Sequence, residues 1–299
     1  MSITVTELAE EYCFHNIFNN KTAKDYLSAA AVFEKETKIK SINDTDRNSL
    51  TNWKRETLKR KSRHTFNSYL RQLRTLFKYA VEEEYIEKNP FDKVKMAPAG
   101  RRLPKTVAPS LISNAVKYLD TNTIQPGWFW QIVIRFFATT GVRRRQLIEL
   151  QWKDIFNDTN EVLLAMRGSK TYREWLIPIN NQVKDDLKYL FDRSSSLATQ
   201  YSNSQVFNVC LHYHKYRGKN MTDEQLGGFF RRLSERLGEK ISPHRIRHTL
   251  GTELGKMDGI NIFVLQDLLG HTDIRTTRLY VNTDTSDMRN LLKKVDLLK

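Results

Sequence analysis

The sequence predicts a mainly α protein with a small β component: an all-helical N-terminal domain followed by a mixed α/β, mostly helical second domain. Three observations carry this expectation. From Thr4 to about Asn89 apolar residues recur three and four apart, with no proline before Pro90. A proline-rich, basic break then follows, "NPFDKVKMAPAGRRLPKTVAP". Beyond it two short strand-like runs, "EVLLAM" and "REWLIPI", interrupt patterning that is otherwise helical.

The first domain is read as residues 1–95. Its clearest helix is "RHTFNSYLRQLRTLFKYAVEEEYI", where Phe66, Tyr69, Leu70, Leu73, Phe77 and Ala80 form one apolar stripe while Arg71, Arg74 and Lys78 point elsewhere. Just before it, "WKRETLKRKSRH" brings together Lys54, Arg55, Lys59, Arg60, Lys61 and Arg63. Residues 96–105 read as a linker and 106–299 as the second domain. There, helices are expected at Pro109–Leu119 and Trp128–Thr139. The stretch "WFWQIVIRFFATTGV" contains Gln131 and Arg135 and is too short and polar to span about 30 Å of hydrocarbon, so it predicts a buried core helix. The two strand-like runs meet at "RGSKTY", the polar "DRSSSLATQYSNSQ" reads as a loop, and helices resume from Asp223 to the end.

Charge narrows the class of partner. Forty-nine Lys+Arg against 34 Asp+Glu give a formal charge of +15 and a pI near 9.7, which points to a polyanion. Composition alone leaves nucleic acid and an anionic membrane surface both open. In that setting the basic run from Lys54 to Arg63, with Arg71 and Arg74, is expected to contact phosphate rather than serve only as a solvated face. The start, "MSITVTELAEEYCF", lacks the basic and apolar regions of a signal peptide. Cys13 and Cys210 lie far apart and suit a reducing compartment. A soluble cytoplasmic protein is expected.

Several short stretches could carry chemistry. In "SPHRIRHTLGTEL", Ser242 and Pro243 are a helix-start signal, which puts His244 and Arg247 on one face near free N–H groups that favour an anion. His244 and His248 have the spacing of a zinc-protease pair, but Arg245 stands where that motif has its glutamate and Arg247 would put positive charge beside a cation. No metal is expected. In "TTGVRRRQLIELQW", Arg143 to Arg145 precede the apolar Leu147, Ile148 and Leu150, so one guanidinium should point inward. Its burial needs compensation, by a structural carboxylate or by a substrate phosphate. Lys170 lies where the strand-like runs meet. In "LLGHTDIRTTRLYVN", Gly270 reads as a helix C-cap, with His271 just past it and Tyr280 in or beside the next helix.

Singly, each of these has an ordinary structural reading. Together, two arginines, a lysine, two histidines and a tyrosine on a basic chain match the needs of metal-free phosphodiester transfer. At neutral pH about one tyrosine in a thousand is phenolate, a deficit of roughly 4 kcal/mol that a base and nearby cations must offset. Arginines can hold the non-bridging oxygens of a pentavalent phosphorus, and an acid can protonate the leaving hydroxyl.

With these residues in order, the chain resembles the tyrosine recombinase, or phage integrase, family over almost its whole length. The end of the helical segment, "KYAVEEEYIEKNPF", is similar to the close of the family's core-binding, DNA-clamping domain, and Thr106 onward to its catalytic domain. The Thr-Gly-x-Arg box matches "TGVR", the hairpin lysine matches Lys170, the His-x-x-Arg-His box matches "HRIRH", and the closing box matches "LLGHTDIRTTRLY". The resemblance implies a catalytic set of Arg143, Lys170, His244 as base, Arg247, His271 on the scissile phosphate, and Tyr280 as nucleophile. Two departures stand out. Gln146 occupies the position of a usual carboxylate, three residues after the first arginine, and Gly251-Thr252-Glu253 replaces a common Ala-Thr-His. The second lies outside the catalytic set and is expected to matter less.

The implied activity is site-specific DNA recombination through a 3′-phosphotyrosyl intermediate, without cofactor or metal, in integration or excision of a mobile element or prophage. The implied partners are double-stranded recombination sites, on which the chain forms a homotetramer from units that can be monomeric in solution. Accessory DNA-bending or directionality proteins remain open, and no membrane is involved. The segment "DMRNLLKKVDLLK" has the pattern of an amphipathic helix that docks on its own domain or on a neighbour's. Two alternatives stay open: a type IB topoisomerase-like enzyme, and a non-catalytic DNA-binding regulator on the same fold.

Overall fold

The computed structural model describes residues 3–18, 20–100, 103–121, 123–168, 173–195 and 202–281. The chain separates into two compact units, residues 1–102 and 103–299. Helix dominates both, and no described helix is long and apolar enough to cross a membrane.

The first unit contains α1 (Val5–His15), α2 (Asn20–Thr37), α3 (Arg47–Arg60) and α4 (Arg63–Glu82). Side-chain caps set the helix starts. Thr4 and Glu7 form a reciprocal capping box on α1, Asp46 caps α3 and Ser62 caps α4, each satisfying N–H groups that the helix leaves open. The apolar stripe of α4 behaves as its spacing predicts: Phe66, Leu70, Leu73, Phe77 and Ala80 are fully buried, and Tyr69 packs at the margin. Aromatic rings fill the centre, with Phe77 and Phe91 at 4.8 Å and Phe33 and Trp53 at 5.2 Å. Glu36 of α2 ties down α3 by accepting from Trp53 Nε1 at 3.1 Å and Thr57 Oγ1 at 2.8 Å.

The expected linker does not begin as a free segment. Asn67 of α4 donates from Nδ2 to the Ala97 carbonyl at 2.9 Å and accepts the Ala97 N–H on Oδ1 at 2.8 Å, so one side-chain amide stands in for a β-ladder partner. Lys54 donates to the carbonyl of Lys95, Arg63 to that of Pro98 and Arg74 to that of Val94. Three residues expected to face phosphate thus hold the exit segment of their own unit. Hydrophobic periodicity carries no sign of this, because polar side chains do the holding. Among the remainder, Arg60 pairs with Glu36, Arg55 and Lys59 pair with Glu56, and Lys61 and Arg71 are exposed.

The second unit is built around α6 (Gly127–Thr140), the predicted core helix. Phe129, Trp130, Ile132, Val133, Ile134, Phe136 and Phe137 are all buried, and the ring of Trp130 stacks on Phe229 at 4.0 Å. Arg135 reaches the edge of this core and forms a two-pronged pair with Asp186, both contacts at 2.7 Å. Around α6 lie α5 (Pro109–Tyr118), the short α7 (Arg144–Glu149), α8 (Asn181–Ser195), α9 (Asp223–Leu237) and α10 (Pro243–Gly255). The α8 helix is an addition to the sequence reading, although Val183, Leu187 and Leu190 mark its buried face. A small antiparallel sheet runs in the order β1 (Ile155–Phe156), β2 (Glu161–Leu164), β3 (Trp175–Pro178). Its β2–β3 register pairs Val162 with Ile177, the two inward residues. The strand-like runs fall on β2 and β3; β1, only two residues long, adds an edge. After α10 come α11 (Ile262–Leu269) and α12 (Ile274–Thr277). The C-terminal segment expected to dock lies outside the described residues.

Replacing Asn67 with Ala should lower stability by about 2 kcal/mol, because two buried backbone groups lose their partners. Denaturant unfolding checks this, and an unchanged midpoint would remove the staple assigned to Asn67.

Candidate active site

Four chain segments converge in the second unit: the turn after α6, the start of α10, the turn after α11 and the residues after α12. Gly141 ends α6 with φ +62°, and Gly270 ends α11 with φ +56°, a left-handed conformation that suits glycine at helix C-caps. At Gly270 there is also no room for a side chain, since a β-carbon would stand 2.1 Å from the Trp175 ring. These two glycine turns leave carbonyl groups at helix C-termini without intrahelical partners.

The two predicted arginines occupy those carbonyls. Arg247, 4% exposed, donates to the Gly141 carbonyl at 2.5 Å and to the Leu269 carbonyl. Arg143 donates to the Gly270 carbonyl at 2.6 Å and lies 6.0 Å from the centre of the Trp175 ring. Among the described residues neither arginine is ion-paired to a carboxylate. Helix C-terminal carbonyls carry partial negative charge, so they hold the guanidiniums without neutralising them. Burial, with Arg143's charge adding, pulls Arg247 down to about 9, still cationic at neutral pH; burial also lowers Arg143.

Gln146 does not hold the Arg143 side chain. Its Oε1 accepts the Arg143 backbone N–H at 2.8 Å, in the manner of a capping box that starts α7. Its buried Nε2 has no hydrogen-bond partner among the described residues. The departure from a carboxylate at this position leaves the guanidinium anchored by Gly270 instead.

Tyr280 is 3% exposed, in a turn where its N–H bonds the Thr277 carbonyl at 3.0 Å. Its ring lies nearly parallel to that of His271, at 6.0 Å and 12°. His271 is fixed on both sides: Nδ1 bonds the buried Thr277 hydroxyl at 3.0 Å, and Gln266 Nε2 donates to its carbonyl at 2.9 Å. The α10 helix is carved to admit the tyrosine. A β-carbon on Gly251 would lie 3.2 Å from the Tyr280 ring, and one on Gly255 would lie 2.2 Å from the Tyr280 carbonyl oxygen. Gly251, which the sequence reading set aside as minor, is therefore part of the tyrosine's seat.

The hydroxyl of Tyr280 is hydrogen-bonded to Nδ1 of His248. Nε2 of His248 in turn meets Nε2 of His244 at 2.8 Å. His244, expected as the base, stands one ring away from the hydroxyl, and His248, whose spacing from His244 suggests by itself only a metal pair, touches it. The Tyr280–His248 contact joins residues 32 apart in sequence, so no local pattern announces it. Burial, the neighbouring His244 and Arg247 push His248 down to about 4; burial, then Arg247 and Arg143, push His271 down to about 3. His244 is lowered for the same reasons, burial first. Burial raises Tyr280 while Arg247 and Arg143 oppose that shift, so the phenol is protonated and the histidines neutral at pH 7. No group of three metal-ligating side chains converges among the described residues. Lys170 lies outside the described residues.

The site thus brings a buried tyrosine, two cationic guanidiniums and neutral histidines together in one place. Residues 101–287 match the phage integrase family and residues 4–96 its SAM-like domain. A Pseudomonas aeruginosa protein assigned as a candidate tyrosine recombinase XerC is 32% identical, over 97% of this chain and 71% of its own length. The fold is shared, at 20% identity and a TM-score of 0.78, with the Tn1549 transposon integrase in complex with a circular intermediate DNA, covering 98% of this chain and 100% of that one. It is shared also with a lambda integrase tetramer bound to a Holliday junction, at 16% identity and a TM-score of 0.72, covering 94% and 78%. The chain belongs to the phage integrase family, the tyrosine recombinases, which cleave and rejoin DNA.

Two outcomes follow from this geometry. Gly255→Val should unseat the segment carrying Tyr280, visible as faster proteolysis after Gly255 than in the wild type; unchanged digestion would count against the seat. His212, half-buried and pushed down to about 4 by burial and then Arg193, joins His248 and His271 as rings kept neutral by folding. Their unfolded forms bind protons near pH 6.5, so the stability they contribute is complete above that pH and drains away as pH falls toward 4. Melting temperature should already decline between pH 7 and 5, before most carboxylates titrate; a flat profile there would contradict the burial of neutral rings.

Proposed function

We propose that this chain is a site-specific recombinase in which Tyr280 is the nucleophile. The observation that carries the reading is the buried Tyr280 hydroxyl, hydrogen-bonded to His248 and lying in the field of two guanidiniums that no described carboxylate neutralises. Tyr280 Oη attacks a DNA phosphorus, the bond to the 5′ oxygen breaks, and a 3′-phosphotyrosyl ester remains. Arg143 and Arg247 hold the non-bridging oxygens as charge develops on them, a role that metal ions fill elsewhere. His271 hydrogen-bonds the phosphate, and Lys170 protonates the leaving 5′ oxygen. Attack by an incoming 5′ hydroxyl reverses the step, and the ester conserves the bond energy.

In this reading the first unit grips duplex DNA, with exposed Lys61 and Arg71 as phosphate contacts and Arg55 and Lys59 giving up their pairing with Glu56 to join them. The chain acts on two sites as a homotetramer and moves or excises a mobile element. The fold likeness to a transposon integrase and to a tetrameric integrase on a Holliday junction supports this assembly.

A nicked suicide duplex, selected from a random library for binding to the Tyr280→Phe chain, should trap a denaturation-resistant adduct with the wild type and none with Tyr280→Phe. An adduct from Tyr280→Phe would remove the assignment. Arg247→Gln should slow adduct formation about 100-fold or more. Arg71→Ala should reduce the slope of log affinity against log salt by about one.

A further inference from the structure

From the contacts of the Tyr280 hydroxyl we infer that His248 is a further catalytic residue, the first acceptor of the tyrosine proton, and that His244 is the second member of a two-histidine relay to solvent. This rests on the assignment of Tyr280 as nucleophile. The hydrogen bonds fix the protonation pattern. A protonated Tyr280 hydroxyl donates to Nδ1 of His248, so neutral His248 carries its hydrogen on Nε2. That hydrogen is donated to Nε2 of His244 at 2.8 Å, which leaves His244 with its hydrogen on Nδ1. Tyr280 is buried, His248 is half-buried and His244 is exposed, so the three groups form a graded path from the interior to water.

The step balances. As the Tyr280 oxygen forms its bond to phosphorus, its proton passes to His248 Nδ1, and the Nε2 proton of His248 passes to His244 Nε2. His248 finishes neutral in its other tautomer, and His244 finishes as the imidazolium. The electron pair of the broken P–O bond leaves with the 5′ oxygen, which takes a proton from Lys170. In the reverse reaction every proton retraces its path.

Two rings serve where one would be a poor base. Burial comes first, and with it the neighbouring His244 and Arg247 on the same helix make a lasting imidazolium costly at His248. Transfer onward puts the charge at the exposed ring. A phosphate held by Arg143 and Arg247 cancels part of that positive field, so the histidines become more basic when DNA is in place. The nucleophile is thereby activated by its own substrate.

His248→Asn tests this on the same nicked duplex. The Asn amide oxygen can accept the tyrosine hydroxyl where Nδ1 did, yet it cannot take up and pass on a proton. The expected result is normal DNA binding with adduct formation slowed about 100-fold or more at pH 7. The residual rate should climb about tenfold per pH unit as hydroxide replaces the lost base; a purely structural defect would lower the rate by the same factor at every pH. His244→Gln should give a smaller loss, since water can take over the outer position. Should His248→Asn melt below the assay temperature, His248→Gln is read against the same two criteria. An adduct rate for either variant within threefold of wild type, or a parallel pH profile, overturns the relay while leaving Tyr280 as nucleophile. No adduct from the wild type overturns both.

Discussion

Two helix C-termini grip two arginines, and most of the second unit is arranged around that contact. Arg247 spans the carbonyls of Gly141 and Leu269, and Arg143 takes that of Gly270. A carboxylate would have bound them more tightly and cancelled their charge. Carbonyl dipoles instead satisfy the N–H groups and leave the net charge available to an anion. The constraint propagates outward. It needs left-handed glycines at both helix ends, the Trp175 edge of the sheet packed on Gly270, and the buried α6 helix ending where Arg247 can reach it.

The same field shapes the chemistry of the neighbours. It opposes protonation of the histidines and favours the phenolate of Tyr280, against burial, which favours the phenol. The site holds Tyr280 as a neutral, hydrogen-bonded phenol under cover, with glycines at 251 and 255 making the space. Glycine at 251 is thus a packing feature of the seat of Tyr280.

In the first unit, positive charge serves two ends. Lys54, Arg63 and Arg74 bind backbone carbonyls of residues 94–98, while others on the same helices remain at the surface. Net charge measures the sum and cannot apportion it, since a lysine bonded to a carbonyl contributes to the long-range field as much as a free one.

The sequence by itself determined the helical character of both units, the small β insertion, the core helix and the family resemblance, because these depend on periodicity, caps and ordered short motifs. It separated Arg143 from the usual carboxylate by showing Gln146, and it pointed to Tyr280 through motifs spread over more than a hundred upstream residues. The amphipathic α8 is legible too, in the spacing of Val183, Leu187 and Leu190. What only the tertiary structure decided are contacts between residues far apart in the chain: arginines on carbonyls rather than carboxylates, Asn67 closing the exit segment, and the tyrosine hydroxyl on His248 rather than His244. The two histidines lie one turn apart on the same helix face, so spacing treats them alike. Which of them touches the Tyr280 hydroxyl depends on the path of the chain from Gly270 to Tyr280, which only packing can set.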